Sequence, residues 1–156
     1  MQMPRLLPLA VAAVLLGGLP AASADLGAEA QYVGGTVAGL DSNPSGRILT
    51  TDDLFLEFRL KNRQVHVSYD KINLIEYGQN VDRRLMMAAL VSPLFILSKK
   101  RQHFLTVGYN DGSGKQQAIV LKIDKKKIRA VLVALEARTG LRVQFQDNEA
   151  RKAGKG

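Results

Sequence analysis

The chain predicts an α+β domain in which antiparallel strands form a sandwich or a partly open barrel, capped by one C-terminal amphipathic helix. Three observations carry this. Period-two alternation runs through residues 54–69, a glycine-rich turn separates two apolar strands between 104 and 123, and a helical period follows at once over 128–135.

The first residues set the domain limits. Arg5 precedes an uncharged apolar run over 6–19, then Pro20 and the small-residue stretch Ala22, Ser23, Ala24. A short positive start, an apolar centre and an A-x-A site describe a secretory signal peptide over 1–24. An uncleaved anchor is the competing reading, but Pro8 and Pro20 bracket a run too short to cross roughly 30 Å of hydrocarbon. The protein is therefore expected to be exported, to the periplasm or outside the cell. Residues 25–30 read as a linker and 31–146 as the domain, with an apolar insertion at 81–101 and a polar tail at 147–156.

From residue 31 the pattern is strand, turn, strand. Gly34 and Gly35 interrupt the first strand and predict a bulge or sharp bend. The cluster DSNPSG over 41–46 is a turn. Leu54, Leu56, Phe58 and Leu60 then alternate with Phe55, Glu57, Arg59 and Lys61, and beyond the polar KNRQ turn Val65, Val67 and Tyr69 alternate with His66, Ser68 and Asp70. INLIEYG closes this segment at Gly78. The loop NDGSG at 110–114 supplies the positive-φ positions of a hairpin between Leu105, Val107, Tyr109 and Ile119, Leu121, Ile123. Asp124 is placed to cap a helix whose inward residues are Ile128, Val131, Leu132 and Leu135, and Gly140 stops it. LRVQF is expected to add a last short strand.

The stretch LMMAALVSPLFILSKKR at 85–101 is the least expected. As one helix, residues 85–97 would span only roughly 20 Å, and Pro93 would break it. Two readings are open. In one it completes the core; in the other it is a protruding apolar hairpin flanked by Arg83, Arg84, Lys99, Lys100 and Arg101, with Leu94, Phe95 and Ile96 meeting a membrane or a protein partner. Self-association through the same segment is a further outcome that sizing would show.

Charge narrows the partners. The 22 lysines and arginines, less Arg5, face 14 carboxylates, leaving about +7 after export. This favours an anionic partner, namely an anionic membrane surface, an acidic polysaccharide or nucleic acid, and an envelope protein is the other partner expected. No nucleic acid is expected, given export and aromatic-poor charge clusters. The absence of cysteine excludes disulfides and a lipidated N-terminal cysteine.

A string of antiparallel strands closed by one amphipathic helix resembles the pleckstrin-homology-like fold, including its GRAM relatives. The most specific match is GRILTTDDLFLEF followed by VHVSYDKINLI, within 46–75, and LEARTG at 135–140 is similar to the ends of exported bacterial proteins. The resemblance implies a binding module rather than an enzyme. Phosphoinositide binding is not carried over with it, because the matching loop at 39–47 holds Arg47 as its one cation.

The residues give no catalytic, cofactor or metal constellation. His66 and His103 lack ligand spacing to each other or to carboxylates. GSGK at 112–115 has Tyr109 and Gln116 where a phosphate loop needs glycine and a hydroxyl residue, so it reads as a hairpin turn. A small secreted hydrolase whose site assembles only in the fold is the alternative function. The one candidate anion-binding group is Lys125, Lys126, Lys127 and Arg129, since cations in a first helical turn oppose the macrodipole unless an anion offsets them.

Overall fold

The computed structural model describes residues 27–40, 43–79 and 102–155. In chain order the elements are β1 (Ala28–Gly35), β2 (Ser45–Leu49), β3 (Phe55–Arg59), β4 (Gln64–Ser68), a 3₁₀ turn (Tyr69–Lys71), β5 (Ile72–Gly78), β6 (Phe104–Asn110), β7 (Gln116–Ile123), α1 (Lys125–Thr139), β8 (Gln144–Phe145) and α2 (Asn148–Lys155). The strands form one sheet in the order β4-β3-β2-β1-β7-β6-β5-β8. Two antiparallel meanders, β1 to β4 and β5 to β7, are joined where β1 pairs with β7, with Ala30 opposite Ile123 and Tyr32 opposite Leu121.

The inward face follows from alternation. Leu56 and Phe58 of β3, Val65 and Val67 of β4, and Leu105, Val107, Ile119 and Leu121 of the long hairpin are all buried in one cluster. Ile128, Val131, Leu132 and Leu135 of α1 complete it, as their helical spacing predicts. Asp124 caps α1 by accepting the Lys126 N–H at 2.7 Å, and Gly140 ends it at φ 72°, a left-handed position that glycine takes without strain. The expected irregularity in β1 lies between Tyr32 and Gly34, where the register to β7 shifts.

Several expectations need correction. The sheet is mixed, because β8 runs parallel to β5, and unclosed, with β4 and β8 at its two edges. β1 starts at Ala28, inside the stretch read as a linker, and Ala28 and Ala30 are buried. Residues read as a polar tail form α2, whose Ala150 is buried in the core cluster. Leu54 is 66% exposed, since β3 begins one residue later and Leu54 sits in the preceding turn. There the Asp52 carboxylate accepts the N–H groups of Leu54 (2.8 Å) and Phe55 (2.9 Å), which holds its pKa below the usual value.

The sheet is also less one-sided than alternation implies. Phe104, Thr106 and Val120 have the opposite strand parity to Leu105, Val107 and Leu121, and all three are buried.

Candidate binding surface

Helix α1 is built from two apolar stripes. The inward one is described above. The outward one is Ala130, Val133, Ala134 and Ala137, with Val133 60% exposed. Together with Lys126, Arg129, Arg138 and the buried Thr50 these residues line an open groove of about 620 Å³. The far end is fixed. The Arg138 guanidinium pairs with Asp53, lies 5.9 Å from the centre of the Tyr69 ring and donates to the Thr51 carbonyl at 3.4 Å. The ion pair with Asp53 raises the Arg138 pKa and ties the end of α1 to the β2–β3 turn.

The four cations singled out in the sequence are divided by the fold. Lys126 and Arg129 line the groove. Lys125 lies instead on a separate cleft of about 510 Å³, with His103, Lys122 and Gln31. Lys127 is exposed and belongs to neither. All four side chains are exposed, and none is in an ion pair among the described residues, whereas Arg47, Arg59, Lys71 and Arg138 each have a carboxylate partner. The Asp124 carboxylate accepts one free N–H of the first turn, that of Lys126.

Two further cations were missed at the sequence level. Lys61 and Arg63, in the turn read only as polar, border a cleft of about 280 Å³ against Gly39, Pro44 and Ser45. Arg63 donates to the Ala38 carbonyl at 2.7 Å, so it stitches the β3–β4 turn to the β1–β2 loop. The signal was two cations flanking an asparagine at a hairpin tip, and nothing in the spacing told which loop would lie opposite.

The two histidines and Asp111 have structural partners. His103 is buried, and its Nδ1 shares a hydrogen bond with the Tyr77 hydroxyl. His66 is exposed beside the Phe55 ring, at 5.9 Å between centroids. The GSGK segment is a hairpin turn organised by Asp111, whose carboxylate accepts the Ser113 hydroxyl at 2.6 Å, the Gln117 amide at 2.8 Å and the Lys115 N–H at 3.0 Å. These bonds lower its pKa to about 2, the Ser113 hydroxyl contributing most. Among the described residues no group of three or more histidines and carboxylates is arranged to hold a metal ion, and no helix is long and apolar enough to cross a membrane. Arg83, Arg84, Leu94, Phe95, Ile96, Lys99, Lys100 and Arg101 lie outside the described residues.

No protein-family model matches the chain, and a search of curated proteins finds no match either.

Proposed function

We propose that this protein is an exported, non-catalytic binding module of pleckstrin-homology-like fold that holds an anionic partner on the outward side of α1. The observation that carries the proposal is the exposed pair Lys126 and Arg129, cations without a carboxylate partner among the described residues, on the lining of an apolar-floored groove, with the exposed Lys125 and Lys127 adding charge to the same helical turn. Three like charges in the first helical turn cost about 0.3–1 kcal/mol each against the macrodipole. An anion bound there offsets that cost.

The fold assignment is supported by the order of the elements. Two antiparallel meanders contribute to one core cluster, and the helix that follows the second meander packs into it. β8 and α2 are additions to that scheme. Export is supported by the Arg5, apolar and Ala-Ser-Ala pattern at the start of the sequence. The apolar segment at 83–101 stays in the proposal as a second contact, to a membrane or an envelope protein.

The test compares the protein with a Lys125→Gln, Lys126→Gln, Lys127→Gln, Arg129→Gln variant against two immobilised probes, polyglutamate and vesicles of acidic phospholipid. The parent is expected to bind at least one probe and to release it as salt rises past about 0.15 M, where screening reaches roughly 8 Å. The variant is expected to lose that binding while keeping its fold. Retention of binding by the folded variant would reject α1 as the anion site.

A further inference from the structure

We infer that the groove beside α1 receives an acidic amphipathic helix from a protein partner, with Lys126 and Arg129 pairing with its carboxylates. This rests on the anion-binding reading above and names the occupant.

The first argument is periodicity. Ala130, Val133, Ala134 and Ala137 recur at the same i, i+3, i+4, i+7 spacing as the inward set Ile128, Val131, Leu132 and Leu135. The two sets are displaced by two residues, or about 200° around a helix, so they occupy nearly opposite faces. A helix with one face in the core ordinarily turns charged residues to water on the other. Here the outward face has the composition of a packing face, and no described element is packed on it.

The second argument is size. Three of the four floor residues are alanines, which let a second helix axis come within the short end of the usual 8–10 Å range. Their methyl groups do not protrude beyond the stems of the flanking lysine and arginine. A lipid surface would meet the cations and leave the floor uncovered, because interfacial insertion depends on large apolar side chains that reach below the headgroups. A ridge of leucine-sized side chains from a partner helix, by contrast, can cover a floor of small side chains at close approach.

The third argument is charge. The described lining residues include no carboxylate, and Lys126 and Arg129 have no ion-pair partner among the described residues, while Arg138 at the far end is already neutralised by Asp53. The unmet positive charge is thus confined to the end of the groove nearest the start of α1, and an acidic partner complements it there.

The test titrates the purified protein against a labelled helix-forming peptide of about 15 residues, with leucines at i, i+3, i+4 and i+7 and glutamates between them. A scrambled peptide of identical composition and a version with lysine for glutamate serve as controls. The acidic amphipathic peptide is expected to bind about tenfold or more tightly than the scrambled one, and the lysine version not to bind. Val133→Glu and, separately, Ala130→Glu lie at exposed positions, so the fold survives, and each is expected to abolish binding. Equal, salt-sensitive binding of the two acidic peptides, lost in Lys126→Glu, Arg129→Glu, would overturn the helix-in-groove proposal and leave the anion site standing. No binding of either acidic peptide would overturn both. Capture of acidic vesicles that is lost in Val133→Glu, with no preference for the amphipathic peptide, would make the face a lipid contact and also overturn the proposal.

Discussion

At the scale of single residues, His103 is a base held without its proton. Its ring stacks on Tyr77 at 5.9 Å between centroids, and its Nδ1 is bonded to the Tyr77 hydroxyl at the end of the core. Burial lowers its pKa, and Lys125 lowers it further against the opposing pull of Asp124. The unfolded chain, with the ordinary value near 6.5, therefore takes up the proton first as pH falls. His103 contributes stability that is present above about pH 6.5 and is lost as pH drops through the folded-state value. Urea midpoints measured from about pH 8 to pH 5 should fall over this window in the parent, and His103→Gln should flatten the fall. Tyr69 presents the opposite case, a buried hydroxyl with no hydrogen-bond partner among the described residues, beneath the Arg138 guanidinium. Its phenol pKa is raised, chiefly by burial. Removing that hydroxyl abandons nothing, so Tyr69→Phe is expected to leave stability unchanged or to raise it by about 1 kcal/mol. Tyr69→Ala, which empties the ring's place in the core, should cost about 3–5 kcal/mol by denaturant titration.

Between elements, α1 and α2 differ in how openly the sequence announces them. α1 has an aspartate cap, four large inward residues in helical register and a glycine stop, and all of these were readable. α2 has only Ala150, Ala153 and Gly154 to turn inward, in a run of charged residues that reads as solvated. Tertiary contact decides it. A Cβ at Gly154 would approach the Phe145 ring to 2.6 Å, so the short helix lies close against β8, and Lys155 places its ammonium 5.5 Å from the same ring. The strand order had the same limit, since the parallel pairing of β8 with β5 depends on where α1 delivers the chain. A prediction at this scale separates stability from binding. Replacing Lys125, Lys126 and Lys127 by glutamine removes charge that opposes the helix macrodipole, so thermal stability should rise, by about 0.3–1 kcal/mol per residue at low salt. Binding to acidic probes should fall in the same variant. A variant that loses both would mean that the lysines support the fold instead. Asp124→Ala supplies the control, losing about 1 kcal/mol through the cap alone.

Across the whole molecule the two phenylalanines Phe55 and Phe104 mark where alternation succeeds as a rule and where it stops. Alternation assigns both to the side of the sheet away from the core. Phe55, in β3, is 38% exposed there, as expected for a sheet with one face in water. Phe104, in β6, is only 4% exposed, and Thr106 and Val120 beside it on the paired strands are buried with it. The sheet therefore has one buried face in its β1–β4 half at Phe55 and two at the centre, where β7 and β6 lie between other strands. A partial signal lies in the sequence, since the outward positions of β3 include Glu57 and Arg59, whereas Phe104, Thr106, Gly108, Ala118 and Val120 of β6 and β7 carry no charge. The glycine and threonine that alternate with leucine and valine in β6 are as compatible with water as with close packing. The difference is measurable. Phe104→Ala should cost about 3–5 kcal/mol, the loss of a fully buried ring and the cavity it leaves. Phe55→Ala, at a partly solvated position, should cost well under half as much. If the two urea midpoints shift equally, the outer side of β6 and β7 contributes no packing energy and the one-sided reading of the sheet is correct. Unequal shifts would establish a second packed layer, and would make that side of the sheet unavailable as a docking surface for the anionic partner assigned to α1.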